Sequence, residues 1–173
     1  GKIISNNTIL EDYIKDIKDD IRIESKLRVC IDCGNGVTGA ITRKIFNSLN
    51  VNFEIIYEDV DGNFPNHPPD PTNEENLSDL KKSIIDNNAD FGFAYDGDGD
   101  RICVVTSDSK ILWPDQLLML YSRSILKNSP KGKIVYDIKC SKHVEKEITK
   151  YGGVPILSRT GHSFIKKAII EEN

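Results

Sequence analysis

Between Tyr95 and Ile102 the chain reads Asp96-Gly97-Asp98-Gly99-Asp100-Arg101, three carboxylates alternating with two glycines. Like charges about 4 Å apart repel by roughly 4 kcal/mol per pair at an effective dielectric of about 20. A divalent cation removes that cost. The glycines let the backbone fold tightly enough for Asp96, Asp98 and Asp100 to converge on one ion. All-oxygen ligation suits Mg²⁺, which keeps its remaining positions for water or a phosphate. Arg101 adds a planar fork that matches phosphate oxygens. A calcium EF-hand begins similarly, but its required glycine would fall at Arg101 and its closing glutamate at Ser107, and the flanks read as strands. A structural module that holds Mg²⁺ or Ca²⁺ without catalysis is a second use of the same residues.

Gly34, Gly36 and Gly39 form G-x-G-x-x-G between a strand pattern and a helix pattern, with Glu58 and Asp59 about 20 residues on. This is the form of a dinucleotide-binding turn, so a Rossmann-type NAD-binding fragment of a dehydrogenase is the alternative reading. A tight turn that needs glycine backbone freedom explains the same three residues. NAD binding leaves the acidic loop and the prolines at 65, 68, 69 and 71 unexplained.

The elements that must position these residues follow from periodicity. Residues 8–18 carry Ile9, Tyr13, Ile14 and Ile17 at helical spacing. Residues 27–32 read as a buried strand, 38–49 as a helix and 51–57 as a strand, a β-turn-α-β unit. The proline-rich segment 61–73 can be neither helix nor central strand. A helix is expected over 74–87, strands over 90–95 and 101–106, a hairpin turn at 107–109 and a return over 110–112. Pro114 opens a helix to about Lys127. Then come a strand over 133–138, a helix over 141–151, a turn at Gly152 and Gly153, a strand over 154–157 and a last helix from about His162. The pattern predicts an α/β protein: two three-layer α/β/α units with mixed sheets, the second incomplete. The boundary falls near residues 107–113, giving domains 1–107 and 108–173.

Composition agrees. The hydrophobic set is 38% of 173 residues, enough for a core. With 23 basic and 27 acidic residues the net charge is -4, which argues against non-specific nucleic-acid binding. No apolar run approaches the length of a membrane span. Cys30 and Cys33 form C-x-x-C, but Cys103 and Cys140 stand apart, so buried reduced thiols in a cytoplasmic protein are expected rather than zinc. His67 reads as structural and His143 as a surface residue. The only methionine is Met119, and the final helix pattern runs to Asn173 without a stop signal, as in a piece of a longer protein.

Asp96 to Arg101 resembles the metal-binding loop of the α-D-phosphohexomutases, the phosphoglucomutase/phosphomannomutase superfamily. Residues 31–36 resemble the opening strand and turn of that family's second domain; 64–71 and 75–77 resemble its proline-rich segment. Residues 113–120 resemble the first helix of the third domain, and 136–141 and 159–166 two of its active-site loops. The likeness runs from about residue 27 to the end and is greatest to the bacterial phosphomannomutase/phosphoglucomutase branch.

The resemblance implies a four-domain enzyme that interconverts hexose 1-phosphate and 6-phosphate through a phosphoserine and a bisphosphate intermediate. It implies Mg²⁺ on Asp96, Asp98 and Asp100, and Arg101 on a phosphate. Lys139, Thr160, Gly161 and His162 would line the sugar site, with His162, Arg101 and Lys139 catalytic. The family's Thr-Ala-Ser-His-Asn-Pro type serine loop does not occur in the 173 residues, nor does its Gly-Glu-x-Ser-Gly-His sugar-binding loop. The chain alone is therefore expected to be inactive and to need the missing first and fourth domains to handle a phosphohexose.

Overall fold

The computed structural model describes residues 1, 2, 5 and 8–172, so Ile3, Ile4 and the Asn173 end of the expected last helix lie outside the described residues. The chain divides into two units, one running to Ile111 and one from Leu112 onward.

In the first unit, α1 (Ile9–Asp20) is followed by β1 (Arg28–Asp32), α2 (Gly39–Ser48) and β2 (Asn52–Ile56). A 3-10 turn (Glu74–Leu77) leads into α3 (Ser78–Asp86), then β3 (Phe91–Tyr95), β4 (Ile102–Thr106) and β5 (Ile111–Leu112). The sheet order is β2-β1-β3-β4-β5. β1 runs parallel to β2 and β3, whereas β3 and β4 are antiparallel, with Phe91 opposite Thr106 and Tyr95 opposite Ile102. The sheet is therefore mixed.

β1 is central, and Val29 to Asp32 are all buried, as expected of a strand covered on both faces. Alternate side chains serve opposite layers. Cys30, Ala94, Cys103 and Val105 pack with Leu77, Leu80 and Ile84 on the α3 side. Val29, Ile31 and Phe93 pack on the other side, where Phe46 of α2 meets Phe53 and Phe93 at ring distances of 5.6 and 5.7 Å. α1 lies against α2 but buries no residue completely.

The helix expected over 74–87 opens with a 3-10 turn instead of an α turn. Asn73 accepts from the Glu75 N–H at 3.1 Å, and the Ser78 hydroxyl donates to the Glu75 carbonyl at 2.6 Å, which tightens that first turn.

The second unit comprises α4 (Pro114–Asn128), β6 (Lys133–Asp137), α5 (Lys142–Lys150), β7 (Val154–Ser158) and α6 (His162–Glu171). Pro114 occupies the first helical position of α4, and the Gln116 side chain accepts the Trp113 N–H at 2.8 Å. β6 and β7 pair in parallel, from Lys133 opposite Val154 to Asp137 opposite Ser158. A mixed sheet was expected here. Among the described residues the sheet has two strands, both parallel, because α5 is a crossover helix that returns the chain in the same direction. Leu126, Tyr136, Val144 and Ile148 form its core. Among the described residues no helix is long and apolar enough to cross a membrane.

Candidate metal centre and sugar-site loops

The acidic loop joins β3 to β4, antiparallel neighbours, so its two ends are held at sheet spacing. Gly99 adopts φ +76°, a left-handed turn that suits glycine, and its N–H closes on the Asp96 carbonyl at 3.2 Å. Asp96 is 2% exposed, whereas Asp98 and Asp100 are open to solvent. One carboxylate oxygen from each of the three lies within 4.8 Å of the others. Ligands around Mg²⁺ are about 3–4 Å apart, given bonds of about 2.1 Å, so the three donors are near enough to be drawn onto one hard cation.

Arg101 closes the loop. Its backbone N–H donates to Asp96 Oδ1 at 3.0 Å and its Nε to Oδ2 at 2.6 Å. Burial pushes the Asp96 carboxyl up, but these Arg101 bonds and a hydrogen bond with Asp100 outweigh it and hold the group below its usual range. The Asp100 carboxyl moves the other way, raised by its hydrogen bond to Asp96 and by the charges of Asp98 and Asp96. Arg101 also reaches Asp70 Oδ1 at 3.2 Å through Nη1. The sequence singled out Arg101 but gave no sign of Asp70, which lies 31 residues away.

The glycine turn packs on this loop. A Cβ at Gly36 would lie 2.6 Å from the Gly97 carbonyl oxygen, and that same oxygen accepts the Val37 N–H at 3.0 Å. The space that a dinucleotide pyrophosphate would need is filled by protein. This, with the antiparallel β3–β4 pair, corrects the Rossmann-type NAD-binding alternative.

On the other side of the turn, buried Asp32 accepts from the Gly34 N–H at 2.8 Å and faces His67 Nε2 at 3.0 Å. The four cysteines are unpaired. Cys30, Cys33 and Cys103 are buried and Cys140 only partly so; burial pushes the Cys33 thiol up to about 11.

In the second unit the expected site residues gather where β6 and β7 end. Lys139 follows β6, while Thr160, Gly161 and His162 follow β7, Gly161 capping α6. The carboxyl ends of parallel strands are the usual place for ligand loops. Asp137 ties the two loops: its Oδ1 accepts the Lys139 N–H at 2.7 Å and the Thr160 hydroxyl at 2.8 Å. Those two bonds, the Lys139 N–H first, lower its carboxyl from the ordinary value. Asp137 is the residue the candidate set missed. Its only sequence signal is its place as an aspartate at a strand end, two residues before Lys139, the spacing of an Asx turn. Lys139 and His162 are exposed.

Comparison with known proteins places both units in one class. Residues 11–109 match the description phosphoglucomutase/phosphomannomutase, alpha/beta/alpha domain II, and residues 113–173 match alpha/beta/alpha domain III. The chain belongs to the phosphoglucomutase/phosphomannomutase family. It is 45% identical over 164 residues to a phosphomannomutase/phosphoglucomutase of Pseudomonas syringae pv. tomato, covering 95% of this chain and 35% of that protein. A phosphoglucomutase of Neisseria meningitidis serogroup B is 40% identical over 165 residues, covering 95% of this chain and 36% of its own. A crystal structure of a family protein from Burkholderia thailandensis superposes with a TM-score of 0.91 at 39% identity, covering 94% of this chain and 36% of that one. The chain thus spans about a third of the length of the relatives it matches.

Proposed function

We propose that this chain is the central part, the second domain and the beginning of the third (residues 1–107 and 108–173), of a cytoplasmic phosphomannomutase/phosphoglucomutase. The reaction is the interconversion of hexose 1-phosphate and 6-phosphate through a phosphoserine and a bisphosphate intermediate. The observation that carries the reading is the convergence of Asp96, Asp98 and Asp100, from five consecutive residues, in a chain that matches domains II and III of the family.

Phosphoryl transfer is mainly positioning plus neutralisation of charge on the moving group. Asp96, Asp98 and Asp100 hold Mg²⁺, which when bound supplies positive charge against phosphoryl oxygens. Arg101, held by Asp96, presents its remaining guanidinium N–H groups to a phosphate. Lys139 contributes a point charge at a strand end. His162, exposed at the first turn of α6, is placed to move a proton to or from a sugar hydroxyl, with Thr160 and Gly161 shaping the same loop. Unpaired cysteines suit a reducing compartment.

The test is a Mg²⁺ titration by calorimetry of the wild-type chain and of Asp98→Asn. Saturable binding that the substitution abolishes is expected; absence of binding by the wild type overturns the metal assignment. With glucose 1-phosphate the 173-residue chain is expected to give no turnover, since it carries no serine-loop segment. Clear conversion by the purified chain overturns that part.

A further inference from the structure

One group in the first unit has no part in the reaction just described. The His67 side chain is 12% exposed and its partner Asp32 is fully buried. Both ring nitrogens face acceptors: Nε2 lies 3.0 Å from Asp32 Oδ2, and Nδ1 lies 2.8 Å from the Pro68 carbonyl oxygen. A carboxylate and a carbonyl can only accept, so both nitrogens must carry hydrogen, and the ring is an imidazolium. The same Pro68 carbonyl also accepts the Asp70 N–H at 2.8 Å. The Asp70 carboxylate, fixed further by the Thr72 hydroxyl at 2.7 Å and by the Thr72 N–H, meets Arg101, and Arg101 meets Asp96. A continuous polar chain therefore runs from buried Asp32 to a carboxylate of the acidic loop.

The apolar side of the same segment supports it. A Cβ at Gly97 would meet Pro69 Cγ at 3.4 Å and Phe64 at 3.8 Å, so the proline-rich segment walls the loop opposite the glycine turn. The Pro69 side chain is itself backed by Gly34, whose N–H is held by Asp32.

We infer that His67 is a positioning residue for the acidic loop: its charged contact with Asp32 locks the proline-rich segment, and that segment holds Arg101 and Gly97 in the shape that receives the cation. The inference rests on the metal reading of Asp96, Asp98 and Asp100 and deepens it. The groups that face His67 are Asp32 at the end of β1, Tyr57 after β2, whose ring edge is 5.4 Å away, and the more distant Asp79 of α3. Tyr57 stays neutral, its hydroxyl donating to Asp79 at 2.6 Å and pushed up to about 12 chiefly by that bond. His67 is the group of this set whose ordinary value lies nearest neutrality. The Asp32 hydrogen bond raises it against the opposing effect of burial.

The experiment compares Mg²⁺ affinity of the wild-type chain, His67→Gln and Asp98→Asn at pH 6.5 and 9. Glutamine keeps a donor toward Asp32 but carries no charge. At pH 6.5 His67→Gln is expected to weaken Mg²⁺ binding about 2- to 30-fold, the range for coupling through a packed network. At pH 9, where less of the wild-type ring is charged than at pH 6.5, the ratio is expected to be smaller. Taking the ratio cancels proton competition at the carboxylates, which both proteins share. A ratio of one at both pH values, or one that does not change with pH, overturns the inference. Absence of Mg²⁺ binding by the wild type overturns the metal reading instead. Positioning is then read without metal, from the amide NMR shifts of Gly97, Gly99 and Arg101, which move in His67→Gln if the ring sets the loop and stay unchanged if it does not. Pro69→Ala, which keeps His67 but thins the wall, is expected to move the Gly97 and Gly99 shifts with the same sign at both pH values.

Discussion

The two units place candidate residues by different means. In the first, the acidic loop is pinned on three sides: by its own antiparallel strands, by the glycine turn and by the proline-rich segment. Each of these reaches down to buried groups such as Asp32 and Asp96. In the second, Lys139 and His162 stand in solvent, and the Asp137 side chain joins their loops. Charge that must converge has to be held, since three carboxylates left free would splay apart. A lysine or histidine proposed to contact a sugar has no cluster of like charges to hold together and needs only a strand end to start from. The contrast extends to the cores. Among the described residues, twelve buried apolar side chains serve the first unit, and five, Leu117, Leu126, Tyr136, Val144 and Ile148, serve the second.

The largest expected effect uses that difference. Leu80 and Ile148 are both fully buried, and truncation of either to alanine costs about 2–5 kcal/mol. A domain of the first unit's size has about 5–15 kcal/mol to lose, so Leu80→Ala is expected to lower its melting temperature and leave it folded. A core as small as the second unit's rarely supplies more than about 3–5 kcal/mol. Ile148→Ala is therefore expected to collapse the dispersion of amide signals from residues after Leu112 while those of the first unit persist. Equal losses in both units would break the comparison.

Next in size are the aspartates themselves. Asp96→Asn takes the charge from a part-buried bond to Arg101 and is expected to lower the metal-free melting temperature. Asp98→Asn changes an exposed side chain and relieves its repulsion of Asp96 and Asp100, so without metal it is expected to be at least as stable as wild type. The two should nevertheless agree in one respect. At Mg²⁺ 100-fold above its Kd, the wild type gains about 2.7 kcal/mol by mass action, and both variants are expected to lose that gain. Thermal melts with and without Mg²⁺ separate the terms. If Asp98→Asn kept the Mg²⁺-dependent rise, the exposed carboxylates would not be ligands.

The sequence made some of this legible and hid the rest for physical reasons. β1 reads as a strand because Val29 to Ile31 are contiguous and apolar, and α2 reads as a helix because its apolar residues recur at helical spacing. The grouping of Asp96, Asp98 and Asp100 could be read because all three lie within one short turn. Contacts across long separations could not. His67 reads as structural, but nothing local reveals that its partner is Asp32, 35 residues earlier, or that Asp70 meets Arg101. The glycine spacing invites a phosphate, yet what fills the turn is Gly97, 61 positions after Gly36 in the chain (97 minus 36), and no pattern around either residue signals the pairing. Of the second sheet, expected to be mixed and incomplete, the described strands β6 and β7 are parallel, joined through α5.

The smallest effect concerns Asp137, and it asks whether the weakly held loops of the second unit depend on charge at all. Its carboxyl is lowered from 3.8 in the folded chain, so its contribution is complete above the ordinary carboxylate value and disappears as pH falls through the lower folded one. In an acid titration followed by NMR, the Lys139 and Thr160 amides are expected to shift together below about pH 3.8, the ordinary value. Asp137→Asn retains an oxygen that can accept both donors, so at pH 7 those amides should stay near their wild-type positions and no longer titrate in acid. Asp137→Ala removes the acceptor and should move both at every pH. If asparagine displaced them as far as alanine does, the negative charge rather than the hydrogen-bond geometry would be joining the loops, and the second unit would resemble the first more closely than its exposed residues indicate.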